Sequence, residues 1–132
     1  MSVFMTRDDD GDHAPVSTRA QMAIDAGCDA FISIHLNDFD DDQANGLEVL
    51  YKGENGALAK QVHDALVRVT QLRPRGIVVR EDLAVLKFNG PAVLIELGFI
   101  ANDTDRDVLL NAQKRDEINR VIAVAVVGFL NA

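Results

Sequence analysis

Two stretches of this chain are apolar on nearly every residue: Phe31-Ile32-Ser33-Ile34-His35-Leu36 and Ala92-Val93-Leu94-Ile95-Glu96-Leu97. A strand with water on one face alternates apolar and polar residues, so a run that is apolar at both alternations needs cover on both faces. Short lengths and β-branched content favour strands over buried helices. Each run also ends in an ionisable side chain, His35 in one and Glu96 in the other. These two strands therefore constrain both the fold and the place where chemistry can sit.

The remaining pattern supplies the cover. A helix is expected from Pro15 to Ala26, with proline near its first turn and Gly27 placed to end it. The first buried strand then runs from Ala30 to Leu36, and Gly46 to Tyr51 forms another. An amphipathic helix follows, with Leu58, Val62, Ala65, Leu66 and Val69 on one face. Pro74 and Gly76 interrupt the chain, and Ile77 to Val79 and Ala84 to Leu86 read as weaker strands. The second buried strand spans Ala92 to Leu97. Asp103 or Thr104 can cap a short helix through Leu110, and a last helix is expected from Asp116 to Leu130. Val3 to Met5 reads as a short strand, followed by an acidic turn from Asp8 to Asp12. That turn has its glycine at the wrong offset for a calcium loop, and Arg19 stands where a bidentate Glu would be needed. Strands alternating with helices define an α/β fold: one domain over residues 1–132, with a mostly parallel or mixed sheet and helices on both faces. No internal repeat or low-complexity linker divides the chain.

Composition narrows the function classes. The 132 residues carry 21 Asp and Glu against 13 Lys and Arg. An acidic domain lacks the clustered basic face that a phosphate backbone demands, so nucleic acid is excluded as a partner. No stretch is long and uncharged enough to span a membrane. Cys28 is the sole cysteine, which rules out an internal disulfide, and its place after Gly27 suits a small buried side chain better than a nucleophile. The start of the chain, Met1 to Arg7, lacks the basic-then-apolar pattern of an export signal.

In open α/β sheets, ligands bind beyond the carboxyl ends of the strands, where His35 and Glu96 both lie. Strand periodicity puts His35 on the face of Phe31 and Ser33, opposite Ile32, Ile34 and Leu36. Each residue has a structural reading, as a core histidine bonded to a carbonyl or a glutamate holding a buried partner. Together at two strand ends they suit a metal ligand beside a general acid/base. His63 lies beside Val62 on the helical wheel and is expected at the surface. His13 falls in the acidic turn.

The residues then resemble a known family. Ser33-Ile34-His35-Leu36-Asn37 is similar to the Ser-x-His-x-Asn signature of the zinc-dependent N-acetylmuramoyl-L-alanine amidases of the amidase 3 type. Thr6-Arg7 with Asp10, Arg19, Gly46-Leu47-Glu48-Val49 and Arg75-Gly76-Ile77 follow the family's order. Pro91 through Asn102 resembles its Pro-x-x-Leu-x-Glu-x-Gly-Phe-x-x-Asn block, continued by Asp105 and Leu109. The resemblance implies that His35 ligates zinc and that Glu96 is the catalytic glutamate. It implies hydrolysis of the amide between N-acetylmuramic acid and L-alanine in peptidoglycan stem peptides, at the bacterial cell wall, in the manner of an autolysin or phage lysin. Zinc would lower the pKa of its bound water to about 7. It also implies that the sequence starts after the family's first strand and helix, whose Gly-His-Gly motif and glutamate supply the other zinc ligands. A second reading follows from that departure: an inactive relative that serves as a wall-binding or scaffold domain. A sheet short of a strand would further favour a homo-oligomer. The loop from Asn37 to Asn45 is too short for the inhibitory helix that some members insert there.

Overall fold

The computed structural model describes residues 1–11 and 14–132. Its helices are α1 (Val16–Asp25), α2 (Gly56–Thr70), α3 (Asp103–Leu110) and α4 (Ala112–Leu130). Its strands are β1 (Phe31–Asn37), β2 (Leu47–Tyr51), β3 (Pro74–Val79) and β4 (Ala92–Phe99), in the spatial order β1-β4-β2-β3. β1 runs parallel to β4 and β2 parallel to β3, while β2 and β4 are antiparallel. The sheet is mixed, as the sequence pattern allowed.

The period-two alternation of the strands builds two cores. Leu47, Val49, Val93, Ile95 and Leu97 face Leu58, Val62 and Leu66 of α2 and Ile118, Ile122 and Val126 of α4. The other face is smaller. There Phe31, Leu50, Ala92 and Leu94 pack on Ala20 and Ala23 of α1, on Val85 and Leu86, and on Phe88, which stacks on Phe31 at 6.0 Å between centroids. This second core covers only one end of its face. At the other end, where β1 and β4 finish, polar side chains take over.

Several local expectations hold for a physical reason. Gly27 ends α1 in a left-handed turn (φ 72°), with its N–H donating to Ile24 O and that of Cys28 to Ala23 O. This pair of bonds closes the last turn of a helix at a glycine. Cys28 is partly buried against the second core. Residues 38–46 form a loop without a helix.

Others are corrected. Val3 to Met5 is not a strand: it is exposed, and among the described residues no strand runs beside it to satisfy its backbone. Ala84–Leu86 is a short 3-10 helix. That turn puts the adjacent Val85 and Leu86 into one core, which an extended strand would send to opposite faces. α3 is capped by Asn102, whose side chain accepts from the Asp105 N–H, and α4 starts earlier than expected under an Asn111 cap. The two-sided cover expected for β1 is also incomplete. Ile34 is 50 % exposed and Leu36 43 %. With Leu97, Leu109 and Ile118 they border an apolar hollow of about 270 Å³.

His63 is the clearest reversal. Expected at the surface, it is 7 % exposed on α2. Its Nε2 accepts from the Gly76 N–H at 3.1 Å, and its Nδ1 lies 3.1 Å from Asp64 Oδ1. The start of β3 reaches over the helix at this point, a contact between segments that a helical wheel cannot foresee.

Candidate active site

Parallel pairing of β1 with β4 sets His35 directly beside Glu96. Antiparallel pairing of β4 with β2 sets Glu48 on the other side of Glu96. His35, Glu96 and Glu48 therefore form one row across three adjacent strands, on the face of the smaller core and beyond its last apolar contacts. The two residues singled out from sequence come together. Glu48 was not among them, although its place in Gly46-Leu47-Glu48-Val49, a carboxylate within an apolar strand, carried the same signal as Glu96.

Glu96 is half-buried, and its Oε2 is fully shielded with no hydrogen-bond partner among the described residues. Burial, reinforced by the like charge of Glu48, raises its pKa to about 7. A carboxyl group poised there can accept a proton and return it at neutral pH. Evolution rarely leaves such an oxygen unpaired inside a sheet for packing alone, because an orphaned buried acceptor costs about 1–3 kcal/mol.

His35 is held neutral. Desolvation lowers its pKa first, and the positive charge of Arg19 on α1 adds to the effect. Ser33, two residues back on the same face, places its Oγ 2.8 Å from His35 Nε2. When Nε2–H donates to that hydroxyl, Nδ1 is the bare nitrogen, oriented by its neighbour as metal-ligating imidazoles are. Asn37 closes the row: its Nδ2 donates to Glu48 Oε1 at 3.4 Å.

Among the described residues, no three His, Cys, Asp or Glu side chains converge as a metal-binding group. A catalytic zinc takes three protein ligands and keeps a fourth position open. One neutral imidazole beside two carboxylates in a row does not by itself fit that requirement. His13 lies outside the described residues. His63, which donates and accepts within the fold on α2, is absorbed by Gly76 and Asp64.

The fold and this row define an α/β domain with a cluster of ionisable side chains at its strand ends. Its relatives identify it more closely. Residues 1–127 match the N-acetylmuramoyl-L-alanine amidase family. The chain is 36 % identical over 96 residues to the probable cell wall amidase LytH of Staphylococcus saprophyticus, covering 71 % of this chain and 33 % of that protein. It is 29 % identical over 116 residues to the N-acetylmuramoyl-L-alanine amidase LytC of Bacillus subtilis, covering 84 % of this chain and 23 % of the relative. The catalytic domain of CwlV, an N-acetylmuramoyl-L-alanine amidase from Bacillus (Paenibacillus) polymyxa var. colistinus, superposes with a TM-score of 0.89 at 27 % identity, over 98 % of this chain and 73 % of that one. The chain belongs to the N-acetylmuramoyl-L-alanine amidase family. It spans about a third or less of the length of these curated relatives. Zinc dependence is general in the family.

Proposed function

We propose that this chain hydrolyses the amide between the lactyl group of N-acetylmuramic acid and the L-alanine of peptidoglycan stem peptides, at the bacterial cell wall. The observation that carries the reading is Glu96: a shielded, unpartnered carboxyl group with a pKa near 7, beside a neutral histidine, in a chain of this family. In its ionised form Glu96 takes a proton from the attacking water. It then delivers that proton to the leaving L-alanine nitrogen, so one group serves both halves of the reaction. Burial first, and the like charge of Glu48 second, keep the proton affinity of Glu96 high enough for the second transfer. His35 is the residue suited to hold zinc, and the expected zinc belongs to this same reading. Since the described residues fall short of a ligand set, no step here runs through the metal. A homo-oligomer is part of the proposal too, and sedimentation of the purified protein tests it.

The deciding experiment incubates purified, folded protein with muropeptides and follows new N-terminal L-alanine by mass spectrometry, alongside metal content. Cleavage that falls by about 100-fold or more in Glu96→Gln supports the reading. Folded protein that binds muropeptide without cutting it overturns the reading in favour of a wall-binding domain.

A further inference from the structure

Asp105 is 2 % exposed, and no cation pairs with it among the described residues. A carboxyl group buried without such a partner is a costly choice for simple packing. Its surroundings explain the choice. Oδ2 accepts from the Gly46 N–H at 2.8 Å and from the Phe99 N–H at 2.9 Å. Gly46 leads into β2 just before Glu48, and Phe99 ends β4 just after Glu96. The antiparallel ladder between these strands runs from Tyr51 and Val93 to Glu48 and Glu96, its last pair. Beyond that pair the strands have no rung of their own. Asp105 Oδ2 supplies one, joining a backbone N–H from each.

Two further contacts show that the tie is built in. Asn102 accepts from the Asp105 N–H at 3.0 Å and donates through Nδ2 to Asp42 O at 3.0 Å, so the first turn of α3 also anchors the loop that precedes β2. Gly98 has a φ of 116°, and a Cβ there would lie 3.1 Å from both Cβ and Oδ2 of Asp105. The carboxyl group presses against the backbone two residues from Glu96, where an added Cβ would be crowded and the backbone conformation is one that side chains rarely adopt. Like charges opposed across a ladder repel each other, and at its open end that repulsion has the least backbone to resist it.

We propose that Asp105 is a positioning residue, whose buried carboxyl group holds the start of β2 and the end of β4 together and thereby sets Glu48 and Glu96 in their row. This rests on the reading of Glu96 as the acid/base group, and the test separates the two. Asp105→Asn keeps an acceptor oxygen in the same shape; Asp105→Ala removes it; Gly98→Ala pushes on the carboxyl group without removing it. In Asp105→Ala, hydrogen-exchange protection at the Gly46 and Phe99 amides is lost. The side-chain carboxyl resonances of Glu48 and Glu96 move, while the methyl resonances of Val62, Leu66 and Ile118 do not. With muropeptide as substrate, kcat drops on the order of 10- to 100-fold while KM stays within about twofold, the pattern of misplacement rather than lost binding. Asp105→Asn restores most of each property. Should Asp105→Ala fail to fold, Gly98→Ala is expected to move the same Glu96 resonance. Unmoved Glu48 and Glu96 resonances in folded Asp105→Ala or Gly98→Ala overturn the proposal, as does Asp105→Asn proving as damaged as Asp105→Ala. Wild-type protein that cleaves nothing refutes the proposed function alone, since exchange and carboxyl resonances still decide the role of Asp105.

Discussion

Glu48 and Glu96 are direct cross-strand partners on antiparallel β2 and β4, so two carboxyl groups share one face at the last rung of the ladder. Burial is the larger reason that Glu96 holds its proton to about pH 7, and Glu48 is the second. Glu48→Gln removes only the second. The pKa of Glu96 is expected to fall but to stay above its ordinary 4.5. A carboxyl ¹³C titration measures the shift directly, and the acid limb of the pH–rate profile should move to lower pH with it. An unchanged titration would show that the two groups do not feel each other.

The raised pKa also has a signature in stability. Glu96 binds its proton more tightly folded than unfolded, so stability falls as pH rises from 4.5 to about 7 and levels off above that. Glu96→Gln cannot ionise and loses this slope. Thermal melts across the window are expected to show the variant gaining on the wild type as pH increases. Parallel curves would place Glu96 in an ordinary, solvated setting.

His63 makes its prediction through a single backbone bond. His63→Leu keeps a buried apolar side chain on α2 but leaves the Gly76 N–H without its acceptor. The expected cost is about 1–3 kcal/mol in urea unfolding. Zinc content should not change, because this histidine is occupied within the fold.

The larger core sets the scale for these effects. Leu66 is fully buried between the sheet and α4. Leu66→Ala is expected to cost about 2–5 kcal/mol, read from denaturant midpoints. At temperatures where it remains folded, kcat should match the wild type, since the smaller core on the opposite face carries the row.

Much of this was readable along the chain. Two short runs apolar at both alternations read as strands, so β1 and β4 and their terminal His35 and Glu96 follow from the pattern, although only β4 is covered on both faces. The apolar stripe of α2 and the glycine after α1 follow from helical geometry in the same local way. What the linear pattern could not carry is which strands lie side by side. Antiparallel insertion of β4 beside β2 is what brings Glu48 against Glu96, and no property of residue 48 alone encodes that neighbour. The same holds for His63, buried by a backbone N–H from β3 thirteen residues on, and for Asp105, whose bond to Gly46 spans 59 residues. Val3 to Met5 shows the converse: an apolar segment stays exposed and irregular where no strand among the described residues lies alongside. Local sequence determined the main helices, the two strongly apolar strands and their polar ends, because those choices depend on near neighbours; the weaker segments at Val3 to Met5 and Ala84 to Leu86 were decided by their surroundings. Tertiary structure alone decided the row of His35, Glu96 and Glu48 and the tie beneath it, because pKa and position arise from groups brought together across the sheet.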